Sequence, residues 1–223
     1  MLIHPWDAAT DEDEWRTWLS AHDFGQLAVN GLDGEPPVVQ PTHFLYDPGP
    51  GEHGEVLLHL ARPNPLWHAL ETSPRVTLSV VDDYAFVPGP WHAPLEAPAD
   101  QGTPTSFYAA VQLHGVAHLV DDPRLKAELL ERQVAHFQPS GGTAPVLPGQ
   151  APFVRMLSGL RGIRVEVTEV RAKFKFGGNQ PEEIQRRVTG LLADRAAPHD
   201  AAARAHQIRR LAAREDAGAG PTA

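Results

Sequence analysis

One histidine stands in an apolar segment that ends in a proline-rich turn. The segment reads Leu57-Leu58-His59-Leu60-Ala61-Arg62-Pro63-Asn64-Pro65-Leu66-Trp67, which predicts a buried strand followed by a short helix. An imidazole without a partner is costly to bury among leucines. A strand-to-helix turn presents backbone N–H groups and, here, an arginine to an anionic group. The pattern therefore predicts a place that holds a ligand.

The metal chemistry open to the chain is limited, because its 223 residues include 12 histidines and no cysteine. Thiolate-ligated metals, iron–sulfur clusters and covalent c-type haem are excluded. No His-Glu-x-x-His motif occurs, which argues against a catalytic zinc ion. A single histidine in an apolar setting meets the needs of proximal haem ligation. His59 fits this role, with Arg62 three residues on; the alternative is a core histidine bonded to a backbone carbonyl.

Two further classes of site lack their motifs. The chain has no Gly-x-Ser-x-Gly elbow of a serine hydrolase and no Walker motif for nucleotide phosphates. The stretch Gly49-Pro50-Gly51-Glu52-His53-Gly54 has the spacing Gly-x-Gly-x-x-Gly, but it carries a proline where a phosphate-binding amide is needed. Lys173 and Lys175 lie two residues apart on a predicted strand, so they share one face and could converge on an anion. The alternative is that they form a solvated edge.

The net charge of −9 argues against a surface built for nucleic acid, since such surfaces are usually basic. The C-terminal arginines lie among acidic residues, and we interpret that segment as a solvated helix. The N-terminus lacks a signal-peptide pattern, and no run of about 18 apolar residues occurs. We therefore expect a cytoplasmic protein without a membrane partner.

The elements that must position these residues follow from periodicity and turn signals. Strands are predicted at 25–30, 38–46, 57–61, 75–81, 85–87, 109–120 and 162–176, and helices at 7–21, 64–70, 123–137, up to 158, 181–192 and 200–214. Pro41 indicates an edge or a bulge in its strand. The apolar stripe of the helix over 123–137 is predicted to contain Leu125, Leu129, Leu130 and Val134. Closely spaced strands joined by hairpin turns favour an α+β, mainly antiparallel β fold with peripheral helices. We expect a ligand-binding domain over 1–192 and a helical tail over 193–223 that is disordered from Glu215.

Several short segments resemble the family of FMN-binding negative transcriptional regulators over about residues 1–192. They are His59 to Trp67, Trp91 after a proline-rich loop, Thr103-Pro104-Thr105 leading to Tyr108, and Lys173-Phe174-Lys175-Phe176-Gly177-Gly178-Asn179. The resemblance implies a split β-barrel of the FMN-binding, flavin-reductase-like type. It also implies a homodimer with the ligand near the subunit interface.

This sequence departs from that family where polar groups could bind a flavin. The family's Ser-Pro-Ser-Trp is replaced by Pro88-Gly89-Pro90-Trp91, its Pro-Thr-Trp-Asn-Tyr by Pro104-Thr105-Ser106-Phe107-Tyr108, and its Ser-Gln-Asn by Gly177-Gly178-Asn179. Hydroxyl and amide groups are lost, and Ser106 opens space beside the ligand plane.

The departing segments are similar to the haem-dependent piperazate synthases over 87–94, 103–108 and 168–175. This resemblance implies conversion of N5-hydroxy-L-ornithine to L-piperazic acid, with N–N bond formation and loss of water, by an enzyme of natural-product biosynthesis. It implies haem b held by His59, with His43, His92 or Tyr108 as the base. The cofactor-binding residues expected are Arg62, Asn64, Trp67, Trp91, Ser106, Lys173 and Lys175. The alternative is an FMN-binding negative transcriptional regulator or a flavin-dependent oxidoreductase.

Overall fold

The computed structural model describes residues 1–218. The strands in that range are β1 Phe24–Val29, β2 Val38–His43, β3 Leu45–Asp47, β4 Glu55–Ala61, β5 Arg75–Val87, β6 Thr105–Val120 and β7 Leu160–Lys175. The α-helices are α1 Glu12–Ser20, α2 Leu66–Thr72, α3 Pro123–Phe137, α4 Val154–Ser158, α5 Glu182–Arg195 and α6 Asp200–Gly218. The predicted α+β class with mainly antiparallel strands is confirmed.

The strands form one antiparallel sheet in the order β2-β1-β5-β6-β7-β4-β3. β4 pairs with β7 so that His59 lies opposite Gly162. Pro41 lies in β2, which is an edge strand. An edge strand tolerates proline because the missing N–H is not needed on its open side. Of the two alternatives predicted for Pro41, an edge or a bulge, the strand order confirms the edge.

The chain divides into two compact units. The central unit contains Asp13–Val80 and Val111–Arg171, and the terminal unit contains Met1–Glu12, Val81–Ala110 and the chain from Ala172 onward. Each of β5, β6 and β7 belongs to the central unit over one part of its length and to the terminal unit over the other. Fully buried side chains form a core in each, with Leu27, Leu58 and Ile163 in the central unit and Phe107, Phe174 and Phe176 in the terminal unit.

The structure divides two stretches of predicted strand differently, and the limits of most other strands differ by a few residues. The strand predicted over 38–46 is interrupted at Phe44, whose buried backbone N–H donates to the Asp23 carbonyl at 2.9 Å instead of to a neighbouring strand. The two strands predicted over 75–81 and 85–87 are one continuous strand, β5. Within this strand Asp83 has a positive φ of 56°. Aspartate tolerates that conformation better than most residues.

Helix α3 begins as predicted but buries a different face. Asp122 caps its N-terminus by accepting from the backbone N–H groups of Arg124 and Leu125, the usual role of aspartate there. Leu125 was expected in the apolar stripe but is 55% exposed. The buried positions are Lys126, Ala127, Leu129, Leu130 and Gln133, so two polar side chains occupy the core-facing stripe.

The C-terminal helix packs within the terminal unit. α6 buries Ala203, His206, Gln207 and Leu211, and the His206 ring stacks on Phe176 with centroids 4.1 Å apart. The helix continues through Gly218, so residues 215–218, expected to be disordered, are helical. Residues 219–223 lie outside the described residues. The domain boundary after Leu192 stays a prediction.

Candidate functional site

His59 lies near the end of β4, where four buried residues precede it. Its own side chain is half-buried, since the strand approaches its exposed end at Ala61. Its Nδ1 lies 2.7 Å from Oε1 of Gln133 on α3, and Nε2 of the same amide donates to the Leu57 carbonyl at 3.1 Å. A carbonyl can only accept, so the amide orientation is determined and Gln133 Oε1 must accept from His59. His59 therefore carries its proton on Nδ1 and its lone pair on Nε2.

Burial lowers the pKa of His59 below its ordinary value of 6.5, and the hydrogen bond to Gln133 offsets that effect only in part. The ring is thus neutral at physiological pH. A neutral imidazole with one nitrogen donating to a fixed acceptor and the other carrying a lone pair is the form that ligates metals. His59, held in this form by Gln133, therefore meets the requirements of an axial haem ligand.

The His59 ring lies at the end of a row of aromatic rings in the central unit. The His43 ring meets His59 edge-on at 5.4 Å and Phe137 at 5.1 Å between centroids. His136 contacts Phe137 at 4.7 Å and pairs with Asp23 at 3.0 Å. His43 is exposed, so a small molecule can reach its ring. Within residues 1–218, no group of three or more His, Asp or Glu side chains is arranged to hold a metal ion.

The turn after β4 uses its polar side chains within the protein. Arg62 donates to the Ser158 carbonyl at 3.1 Å and to Asp121 at 3.2 Å. Asn64 accepts from the Leu66 N–H at 3.0 Å, next to the start of α2, and donates to Gln40 at 2.8 Å. These bonds fix the turn that the sequence predicted. They also commit the guanidinium of Arg62 to a carboxylate of the chain itself.

Arg161 lies over the Trp67 ring and forms an ion pair with Asp121. The indole N–H of Trp67 donates to the Ala61 carbonyl at 3.0 Å, and the Arg161 guanidinium lies 4.9 Å from the Trp67 ring centroid. Hydrogen bonding to Arg161 lowers the pKa of Asp121 from its ordinary value of 3.8. Trp67 is buried, and its contacts here stabilise the turn.

His92 has the same hydrogen-bonding pattern as His59, in the terminal unit. Its ring bonds to the backbone of Thr103, while among the described residues its buried Nε2 has no hydrogen-bond partner. Burial lowers the pKa of His92, and the cations of Arg187 and Lys175 lower it further. Its Nε2 therefore carries a lone pair that can accept a proton.

The proline-rich loop is held by arginines of α5. Arg187 donates to the carbonyl of Trp91 at 3.0 Å and to that of Ala93, and Arg195 lies 4.8 Å from the Trp91 ring centroid. These contacts hold the segment predicted to be irregular, which contains a 3-10 turn over Gly89–His92.

The remaining predicted residues cluster in the terminal unit around Tyr108. The ammonium groups of Lys173 and Lys175 lie 5.7 Å and 5.9 Å from the Tyr108 ring centroid. Lys173 is buried, donates to the Leu2 carbonyl at 2.9 Å and lies 3.8 Å from Asp7. Lys175 donates to the neutral hydroxyl of Thr105 at 2.9 Å, next to the half-buried Ser106. The two lysines thus differ, since the ammonium of Lys173 lies within 4 Å of a carboxylate and that of Lys175 donates to a hydroxyl.

The residue that sequence reasoning missed is Gln133. Its signal was its position four residues after Leu129 on the same helical face, but the predicted stripe passed through Leu125 instead. The central unit brings together His43, His59, Arg62, Asn64 and Trp67, and the terminal unit brings together Trp91, His92, Ser106, Tyr108, Lys173 and Lys175.

The fold and these residues define a protein of the flavin-reductase-like split-barrel class. A family model described as "Putative FMN-binding domain" matches residues 1–169, and the chain belongs to this family. It is similar to the "Protease synthase and sporulation protein PAI 2" of Bacillus subtilis (strain 168), at 24% identity over 206 residues, covering 89% of this chain and 92% of that protein.

Two solved structures share the fold at low identity. The flavocytochrome Anf3 from Azotobacter vinelandii has 23% identity and a TM-score of 0.59, with 81% of this chain and 75% of that chain covered. The FAD and heme binding protein from Mycobacterium smegmatis has 18% identity and a TM-score of 0.56, with 82% and 80% covered. Among the described residues, none of the helices has the length and apolar character to span a membrane.

Proposed function

We propose that this protein is a haem-dependent enzyme that converts N5-hydroxy-L-ornithine to L-piperazic acid with loss of water. The observation that carries the proposal is the 2.7 Å hydrogen bond between His59 Nδ1 and Gln133 Oε1. It leaves a neutral ring with a lone pair on Nε2, as an axial ligand of haem iron requires. The choice of substrate rests on the resemblance of residues 87–94, 103–108 and 168–175 to the piperazate synthases.

Haem is compatible with this fold class. Two proteins of similar fold are described as a flavocytochrome and as an FAD and heme binding protein. The family itself is described by FMN binding, but this chain has lost hydroxyl and amide groups at the positions 88–91 and 104–108 that distinguish it from the regulators. These losses favour haem over FMN.

The reaction balances without an added oxidant or reductant. The α-amine nitrogen forms a bond to N5, the N–O bond of the hydroxylamine breaks, and the oxygen leaves as water. When bound, haem supplies a Lewis acid that weakens the N–O bond. The two nitrogens belong to one molecule, so a site that holds the substrate curved removes much of the entropic barrier to ring closure.

A base must accept the proton that the α-amine loses. His92 has a lone pair on Nε2 and a neutral ring at physiological pH. His43 is the exposed histidine beside His59 in the central unit, and Tyr108 is the third candidate. We place His43 first because its exposed ring lies beside His59 within the same unit.

Anionic groups of the substrate and of the haem propionates need cations. Lys175 is the better candidate, since its ammonium donates to a neutral hydroxyl and sits beside Ser106. Arg62 is bonded to Asp121 and Lys173 lies near Asp7, so both have part of their charge balanced within the protein. Arg62, Asn64, Trp67 and Trp91 then support the site by holding its turns.

The test is conversion of N5-hydroxy-L-ornithine by the haem-reconstituted protein, followed by mass spectrometry and chiral chromatography. We expect a product that has lost one water and co-elutes with L-piperazic acid. His59→Ala should abolish conversion, whereas His68→Ala, which removes an exposed histidine of α2, should retain it. Conversion that needs neither haem nor His59 would contradict the proposal.

The family description favours a second candidate, an FMN-binding regulator or flavin-dependent oxidoreductase. This candidate predicts a yellow protein with a flavin spectrum, and a regulator would bind DNA with a steep salt dependence. For either candidate we propose a homodimer with the ligand near the subunit interface, which sedimentation equilibrium would test.

A further inference from the structure

We propose that Gln133 is a positioning residue that selects the tautomer of His59 and limits how strongly His59 donates electrons to iron. The inference rests on the haem assignment proposed above. Gln133 does not itself touch the cofactor in this account; it acts through the His59 ring.

The burial of Gln133 needs an explanation. Its side chain is 2% exposed and lies in the core-facing stripe of α3, where an unpaired amide would be costly. Both polar atoms of the amide form hydrogen bonds with β4. Nε2 donates to the Leu57 carbonyl at 3.1 Å, and Oε1 accepts from His59. Leu57 and His59 are two residues apart on β4, so one side chain ties the ring to the backbone of its own strand.

That geometry removes two freedoms of the imidazole. The ring cannot rotate without breaking the bond to Gln133, and the proton cannot move to Nε2 without leaving Nδ1 and Oε1 facing each other as two acceptors. Nε2 is thus kept as the lone-pair nitrogen before any ligand arrives. Pre-organisation of this kind is what partners of metal-ligating histidines provide.

The chemical nature of the acceptor also matters. A carboxylate in this position would draw the Nδ1 proton more strongly and raise the donor strength of Nε2. A neutral amide is a weaker acceptor, so the ring remains a weaker donor and the iron stays more electron-poor. An electron-poor iron suits Lewis-acid chemistry on an N–O bond, as the proposed reaction requires.

Three variants separate positioning from packing. Gln133→Leu removes the hydrogen bond to the ring, and Gln133→Glu keeps the shape while replacing the amide by a carboxyl group. In Gln133→Leu the Leu57 carbonyl loses its donor, whereas in Gln133→Glu it faces a carboxyl oxygen, so each variant is compared with the wild type and not with the other. Gln185→Leu is the matched control, because Gln185 is 1% exposed on α5 and its Nε2 donates to the Gln180 carbonyl at 2.7 Å.

The readouts are the His59 tautomer, measured by 15N NMR on haem-free protein, and the haem affinity and reduction potential of the reconstituted protein. We expect a single Nδ1–H tautomer in the wild type. Gln133→Leu should lose it and bind haem about 10- to 100-fold more weakly, Gln133→Glu should keep haem at a lower reduction potential, and Gln185→Leu should match the wild type in all three. If Gln133→Leu does not fold, the potential of Gln133→Glu decides the question.

The outcomes distinguish this inference from the proposed function. A wild-type Soret band that disappears in His59→Ala, together with Gln133 variants that match the wild type in tautomer, affinity and potential, would overturn the role of Gln133 and leave the haem assignment intact. A wild-type protein that shows no Soret band with haem would overturn both.

Discussion

His59 and His92 share one hydrogen-bonding pattern in two different units. In each ring one nitrogen bonds to a fixed partner, Gln133 Oε1 in one case and the Thr103 backbone in the other. Burial lowers the pKa of both rings, so both are neutral at physiological pH. Neutral histidines with a defined lone pair can either ligate a metal or accept a proton, and His59 is the one that we propose as a ligand.

Asp83 is a residue whose conformation is stabilised by one buried contact. It has a φ of 56°, and its carboxylate lies 2.7 Å from His206 Nε2. Asp83→Ala should lower the free energy of unfolding by about 2–4 kcal/mol, because it adds strain at positive φ and removes a buried hydrogen bond. Urea denaturation measures this change.

The control for Asp83 is Asp33, an exposed aspartate with a φ of 46°. Asp33→Ala keeps the strain penalty but loses no buried contact, so it should cost about 1 kcal/mol. Equal costs for the two substitutions would show that the contact with His206 adds nothing.

Individual site residues differ in how far the sequence could predict them. His59 was identifiable because a lone histidine interrupts a run of leucines. Gln133 was not, because it lies 74 residues away and its meaning depends on which face of α3 is buried. Hydrophobicity alone favours burial of Leu125 over Gln133. The packing of α3 in the folded protein reverses this order, since Leu125 is exposed and Gln133 is buried.

At the scale of elements, the sequence predicted most strands and helices because apolar periodicity and turn residues act locally. α3 spans Pro123–Phe137 as predicted, since Asp122 is a strong N-cap. The break predicted within β5 was wrong, because a polar Asp-Asp-Tyr segment looks like a turn while the strand continues through it. The conformation of Asp83 could not be predicted, because it depends on a long-range hydrogen bond with His206 of α6.

The junction between α5 and α6 depends on an ion pair in which Asp200 is buried and Arg195 is partly exposed. Asp200 accepts from Arg195 at 2.7 Å and 2.5 Å and from the Ala197 N–H at 2.9 Å. We expect Asp200→Asn to lower the free energy of unfolding by about 1–3 kcal/mol near neutral pH, because the charge-assisted hydrogen bonds from Arg195 to the buried carboxylate are weakened. The exposed pair of Glu182 and Arg186 provides the control, and Glu182→Gln should cost about 0.5 kcal/mol or less.

The same pair predicts a pH dependence. Hydrogen bonding to Arg195 lowers the pKa of Asp200 from its ordinary value of 3.8, so the folded state binds the proton less readily than the unfolded state. The stabilisation is therefore present above about pH 3.8 and is lost as the pH falls below it. In urea titrations, the difference between wild type and Asp200→Asn should shrink in this range. A difference that grows on acidification would contradict the assignment.

At the scale of the whole molecule, the family match confirms the class expected from the segment resemblances. The terminal unit combines the N-terminal segment, the middle of the chain and the C-terminal helices. A sequence read in order could not predict this, because contacts such as that between Lys173 and Leu2 join residues 171 positions apart.

The C-terminal helix gives a test of the domain boundary predicted after Leu192. Removing residues 193–223 exposes Phe176 and the α5 face that α6 covers, and each such apolar side chain contributes about 1.5–3 kcal/mol. We expect the shortened chain to unfold at a clearly lower urea concentration, while Ile208→Ala, at an exposed site on α6, should change little. An unchanged unfolding midpoint for the shortened chain would show that residues 1–192 are an independent domain.

The most direct test of the account is a haem titration of the full-length protein followed by absorption spectroscopy. We predict a Soret band that saturates at one haem per chain, persists in His68→Ala and is lost in His59→Ala. A protein that purifies with a flavin spectrum and forms no Soret band with added haem, or a His59→Ala variant that binds haem as the wild type does, would contradict the assignment of His59 as the haem ligand.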